Sequence, residues 1–109
     1  MKTLNHPASR PHDAAVVELL KEDPEFASMY LAAALEEAEQ LGGQQALLWA
    51  LRQVTEAQGM AAVAQRAGIP RESLYRALSA HGNPTIKALL AVLGAAVLQL
   101  AVTRPRQAA

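Results

Sequence analysis

The stretch "AVAQRAGIPRESLYRALS", residues 62–79, limits the fold more than any other part of the 109-residue chain. In a twenty-residue window opening at Met60, Ala64 stands fifth, Gly68 ninth and Leu74 fifteenth. Those offsets suit two short helices meeting at a tight corner. A small side chain fits where the helices cross, and glycine takes the positive φ of the turn without steric cost. An apolar residue early in the second helix then pins it to the first. Val63, Ala67, Ile69 and Leu78 complete the inner face, and Pro70 cannot continue a helix but can open one. Residues 60–79 are expected to form a helix-turn-helix.

With the inner face assigned, Arg71, Glu72, Tyr75, Arg76 and Ser79 point outward. Arginine bonds bidentately to the O6 and N7 of guanine, worth roughly 1–3 kcal/mol of discrimination per good pair. Arg71, Tyr75 and Arg76 are the expected base-edge or groove contacts, Tyr75 suiting a thymine methyl or a phosphate. Arg66, Ser79 and Lys87 are the expected phosphate contacts, two of them from flanking helices. Glu72 has two readings, an acceptor from cytosine or an i+4 partner for Arg76. The plain alternative for the whole segment is a helical corner with two solvated arginines.

The length fits one domain with a modest core. Half of the residues are apolar and only four are aromatic, Phe26, Tyr30, Trp49 and Tyr75. Alanine, leucine, Glu, Gln and Arg dominate, which favours helices. The expected fold is all-α, a small helical bundle. Cysteine is absent, which excludes disulfides and thiolate chemistry. The longest uncharged run, residues 88–103, is shorter than the roughly 20 residues a spanning helix needs. The first residues lack the apolar core of a secretory signal. A soluble cytoplasmic protein with no membrane contact is expected.

Net charge is zero but unevenly spread. Residues 13–40 hold Asp13, Glu18, Glu22, Asp23, Glu25, Glu36, Glu37 and Glu39 against Lys21 alone. Residues 41–109 carry a net +5. Such asymmetry suggests two faces with different partners.

Along the chain, residues 1–12 read as a flexible arm and 103–109 as a flexible tail, flanking a helical domain over 13–102. Asp13 suits an N-cap for a first helix, and Asp23 with Pro24 suits the start of a second. Phe26, Met29, Tyr30, Ala33, Ala34 and Leu41 recur at spacings of three and four, as a buried stripe would. Gly42-Gly43 breaks the chain. A third helix turns Leu47, Leu48, Leu51 and Val54 inward, with Trp49 beside them as core or as a half-exposed anchor for a partner. Asn83 and Pro84 suit the start of a last helix with Ile86, Leu89, Leu90 and Leu93 inward. Residues 97–102 suit a short C-terminal β-strand, and the alternative is a helix running on to about Leu100.

The segments "YLAAALEEAEQ" and "ALLWALRQVTEAQGMAAVAQRAGIPRESLYRALSAHGNPTIKALLAVL" carry a resemblance. Through them the chain resembles the addiction-module antidote proteins, HigA-like antitoxins of type II toxin–antitoxin pairs in the phage-repressor-like helix-turn-helix group. "RESLYRALS" and "GNPT" at their mutual spacing, with "YLAAALEE" upstream, are the most specific parts. The resemblance implies an antitoxin that binds its own operator and neutralises a toxin of RelE/ParE-like fold. The chain departs from that pattern at three places. Ala61 and Ala62 stand where a capping Ser-Gln pair is common, Pro70 where serine is frequent, and Val97 where a glycine ends the last helix.

His6, His12 and His81 are scattered with no Cys or i+4 His partner, so no metal site is expected. Gly42-Gly43 does not follow a strand, which argues against a phosphate loop. Neither an enzyme nor a cofactor is expected. Expected partners are double-stranded operator DNA, a cognate toxin and a second copy of the chain, joined through the apolar C-terminal segment. Glu36, Glu37 and Glu39 are the candidate toxin contacts, since RNA-directed toxins tend to be basic; the alternative is a solvated acidic face. A second class of function is a protein-interaction module, or a stand-alone regulator, whose helix-turn-helix is weakened at Ala61 and Ala62.

Overall fold

Asp23 shows how the chain starts its elements. Its backbone is extended, and Oδ1 accepts from the amides of Glu25 (3.1 Å) and Phe26 (3.2 Å). Two donors that a helix start leaves orphaned are thus satisfied. Pro24 occupies the first turn, where a missing N–H costs nothing. In the computed structural model, which describes residues 10–104, six helices follow in order. They are α1 (Arg10–Glu22), α2 (Pro24–Glu36), α3 (Gly43–Gln58), α4 (Met60–Ala67), α5 (Arg71–Ala77) and α6 (Ile86–Ala95). Residues 1–9 and 105–109, which include most of the expected arm and tail, lie outside the described residues.

The all-α bundle is what the chain forms. The C-terminal strand is not: α6 stops at Ala95, and the described residues contain no strand. The end of α6 explains both failed alternatives. Leu98 N–H bonds back to Leu93 C=O (2.7 Å) and Val97 N–H to Gly94 C=O (3.0 Å). This pairing closes a helix when the intervening residue turns left-handed. Val97 does so at φ 60°. A β-branched residue therefore holds the conformation that glycine adopts freely.

α3 is common to two packed groups. On one side α1 and α2 pack against it and each other; on the other it meets α4 and α6, while α4 holds both α5 and α6. The apolar core runs through both groups, from Leu20, Ala27 and Leu31 through Leu51 and Val54 to Val63, Ala67, Leu74, Leu78 and Val92. Between α1, α2 and α3 a polar relay crosses this core. Gln53, 2% exposed, accepts from the Tyr30 hydroxyl at Oε1 and donates from Nε2 to Asp13 Oδ1 (2.6 Å). Asp13 thus lies inside a helix that starts four residues earlier than expected, and it ties α1 to α3 instead of capping. Thr55, also buried, donates to the Leu51 carbonyl (2.7 Å). No buried side-chain polar atom lacks a partner among the described residues, as a stable interior requires.

Two buried stripes differ from their expected phase. In α2 the inward residues are Ala27 and Leu31 with Phe26, Tyr30 and Ala34 beside them, whereas Met29 and Ala33 face solvent. Leu41 lies beyond the helix, fully exposed. In α6 the inward residues are Ala88, Ala91, Val92 and Leu93, while Ile86 (75%) and Leu90 (49%) are exposed. The helix begins two residues later than Asn83-Pro84 implied, capped by Thr85, whose Oγ1 accepts from Ala88 N–H (3.0 Å). In both helices alanine takes core positions, Ala27 in α2 and Ala88 with Ala91 in α6, and the expected stripe residues Met29, Ala33, Ile86 and Leu90 turn outward.

Candidate functional site

The corner between α4 and α5 has the expected construction. Gly68 sits at φ 71°, and its neighbour Ile69 bonds back to Ala64 C=O (3.1 Å). Ala64 is 3% exposed at the crossing, and Leu74 and Leu78 are sealed inside the core. Their burial, worth roughly 1.5–3 kcal/mol each, holds the inner side of a helix only seven residues long. That fixes which residues α5 turns outward.

Five of the seven expected DNA contacts come together there. Arg71, Glu72, Tyr75, Arg76 and Ser79 line one shallow recess. The first four are exposed and Ser79 is half-buried, its hydroxyl donating to the Arg76 carbonyl (2.8 Å). The Glu72–Arg76 ion pair does not form among the described residues. Glu72 therefore keeps its acceptor oxygens available.

A sixth wall of that recess was not expected: Arg52, from α3. Its guanidinium lies 4.5 Å from the Tyr75 ring centroid and 5.5 Å from that of Trp49. Arg52 Nη2 donates to the Tyr75 hydroxyl (2.7 Å), and Nε lies 3.5 Å from Glu56 Oε2. Trp49, expected as core or as an anchor, is half-buried and serves here as a platform for a cation. The i, i+3 and i, i+4 spacings of Trp49, Arg52 and Glu56 were visible in the sequence. Their meeting with Tyr75, 23 residues on from Arg52, was not.

The other two expected phosphate contacts occupy a different place. Arg66 lies against α6 at Gly94, where a Cβ would come within 2.8 Å of its Nη2. Lys87 places its ammonium beside Gly68, 3.3 Å from where a Cβ would stand. Both are exposed, and both follow the α4–α6 seam instead of entering the recess. Of the candidate toxin contacts, Glu36 ends α2, while Glu37 and Glu39 lie in the turn after it. All three are exposed, far along the chain from any basic partner. They form the end of a helix and its turn, not one continuous helical face.

His12 and His81 are exposed, and His6 lies outside the described residues. No group of three or more His, Asp or Glu side chains could hold a metal ion among the described residues. No helix among them is long and apolar enough to cross a membrane.

Comparison with known proteins adds the family. Over 60 residues the chain is 43% identical to an uncharacterized protein of Haemophilus influenzae. The match covers 55% of this chain and 62% of that relative, so the chain spans about three fifths of the curated protein's length. No solved structure matches. The family model described as a probable addiction module antidote protein matches residues 10–104, and the chain belongs to that family.

Proposed function

We propose that this chain is a DNA-binding antitoxin, a repressor that reads its own operator and neutralises a partner toxin. One observation carries the DNA-binding half. Beyond a glycine-hinged corner, Arg71, Tyr75 and Arg76 stand outward on a short helix whose opposite side is locked into the core. This is the arrangement by which a helix-turn-helix offers a helix to the major groove. Arg66 and Lys87, on the adjoining helices, reach phosphates, and Glu72 accepts from cytosine. A two-fold homodimer joined through the C-terminal segment doubles the contacts and spaces the half-sites about one helical turn apart.

The antitoxin half rests on membership of the antidote family. For the toxin we favour a basic protein of RelE/ParE-like fold, which meets the acidic end of α2. Glu36, Glu37 and Glu39 supply the charge there, and the outward side of α2 adds apolar surface at Met29, Ala32 and Ala33. Complementary charge of this kind speeds encounter more than it sets affinity.

Titrating a fluorescent duplex from the DNA upstream of the gene, at two salt concentrations, tests the DNA-binding half. Saturable binding should weaken steeply with salt, and replacing Arg71 and Arg76 by alanine should abolish preference for that duplex. Binding indifferent to both substitutions would defeat the reading. For the antitoxin half, the adjacent small reading frame is expressed alone and with this chain. Rescue of growth by the wild-type chain, slower to develop with Glu36, Glu37 and Glu39 changed to lysine, is expected.

A second reading is a protein-interaction module or stand-alone regulator with weak DNA affinity. It is favoured by the start of α4, where Gly59 leads directly into Met60-Ala61-Ala62 and no side chain caps the helix. A hydroxyl or amide there would have offered one more phosphate contact. No duplex binding at low salt, with toxin neutralisation intact, would select this reading.

A further inference from the structure

We infer that Arg52, on α3, is a positioning residue for the DNA-facing side of α5: it fixes Tyr75 and, through it, the aim of Arg71 and Arg76. The inference rests on the DNA-binding role proposed above and adds to it a residue outside the helix-turn-helix.

The need for such a residue follows from the shortness of α5. Two turns of helix, packed chiefly on α4, are held from within by Leu74 and Leu78. Both leucines lie on the inner side, so they resist withdrawal of the helix more than rolling about its axis. A roll of even one residue's arc would turn Arg71 and Arg76 away from a common surface. The restraint against rolling has to act from the side, and Arg52 does so.

Its guanidinium is held on three sides at once. Its central carbon lies 4.5 Å from the Tyr75 ring centroid and 5.5 Å from that of Trp49, the Tyr75 hydroxyl accepts a hydrogen bond from Nη2, and the Glu56 carboxylate pairs with Nε. Trp49, Arg52 and Glu56 all belong to α3, whose residues Leu51, Val54 and Thr55 are buried. The tether therefore runs from a rigid, core-anchored helix to the exposed one. Tyr75 lies one residue before Arg76 and one helical turn after Arg71, so fixing its ring and hydroxyl fixes the azimuth of both arginines. A planar group that stacks and donates in two directions is required here. A lysine in its place keeps the charge but lacks the plane and the second donor. With Arg52 in its wall, the recess also holds three guanidinium groups against the single carboxylate of Glu72, although Glu56 already balances one of them.

The test uses the full chain, a duplex from the DNA upstream of its gene, and a scrambled duplex of equal length. The measured quantity is the ratio of the two affinities at fixed salt. Arg52→Gln should lower that ratio about tenfold, the size of one good base contact misaimed. Arg52→Lys should restore affinity for the scrambled duplex without restoring the ratio. Tyr75→Phe keeps the ring and removes the hydroxyl, so it should reproduce part of the loss even if Arg52→Gln proves unstable. The double variant Arg52→Gln/Tyr75→Phe should be no worse than Arg52→Gln alone, because both act through one link. Without any DNA, proton NMR should show the Arg52 side-chain resonances shifted upfield by the two rings, and part of that shift lost in Tyr75→Leu, which leaves the Trp49 ring in place.

An unshifted Arg52 in the wild type, or a ratio unchanged by Arg52→Gln while Arg71→Ala/Arg76→Ala abolishes it, overturns the inference alone. A wild-type chain that binds neither duplex overturns the DNA-binding reading and this inference with it.

Discussion

The two sides of α3 are stabilised by different means. Towards α1 and α2 the interface contains a buried amide bonded to a phenol and a carboxylate. On the other side α4 and α6 pack on each other as well as on α3, and bury the small side chains of Ala64, Ala67, Ala88 and Ala91 among Val63, Val92 and Leu93. The polar side sets register through directional bonds, each tolerant of small shifts in backbone separation. The alanine side sets it through close approach, which tolerates almost none. The candidate DNA-contacting helix sits on the second kind of support, and the acidic helix on the first.

The contrast should be broken most strongly by added bulk. Ala67→Leu puts three carbon atoms where exposure is zero, and a loss of about 3 kcal/mol is expected in denaturant unfolding. The same change at Ala33, outward on α2, should stay within about 0.5 kcal/mol. Next in size is the relay. Gln53→Leu keeps the volume but strands the Tyr30 hydroxyl and the Asp13 carboxylate, at a cost of about 1–3 kcal/mol. Adding Tyr30→Phe should recover part of that loss, a coupling that a merely steric defect would not show.

A smaller effect of opposite sign is expected where α6 ends. Val97 is 90% exposed, so its side chain contributes little packing, while its left-handed backbone costs about 1–2 kcal/mol. Val97→Gly should therefore raise stability by about 1 kcal/mol after the added chain entropy of glycine. Calorimetry should find the melting temperature about 4–8 °C higher.

The smallest effect belongs to alkaline pH. Burial first, and then the Asp13 carboxylate, raise the Tyr30 hydroxyl above its ordinary 10.0, with the Gln53 hydrogen bond acting in the opposite direction. The folded chain keeps this proton to higher pH than the unfolded chain does. Its contribution is thus complete below about pH 10 and is lost as pH rises through the folded value. Melting temperature should fall more steeply above pH 10 in the wild type than in Tyr30→Phe. Equal slopes would show that Tyr30 does not sense its folded surroundings.

The corner at Gly68 was legible because its constraints are local. A positive φ, a small crossing residue and an apolar pin fall within ten residues of one another. Asp23 was legible for the same reason. The phase of α2 and α6 was not, because hydrophobic spacing weighs large residues, whereas Ala27, Ala88 and Ala91 take core positions there. Ile86 and Leu90 therefore drew the stripe to the wrong side. The cap at Thr85 was hidden behind the stronger-looking Asn83-Pro84 pair. Glu36, Glu37 and Glu39 stand close together in the sequence, but the chain leaves the helix at Glu36 and splits them. Arg52 escaped notice because its partner Tyr75 is near in space and remote in sequence. No periodicity reports such a pair.

The lysine resting beside Gly68 has an electrostatic consequence. The carboxyl end of α4 points its carbonyl dipoles at this corner, and a bare helix terminus of that polarity repels anything negatively charged. With the Lys87 ammonium stationed over it, that local repulsion is cancelled from within the molecule. A polyanion brought against α5 would meet an ammonium at this corner in place of bare carbonyl dipoles.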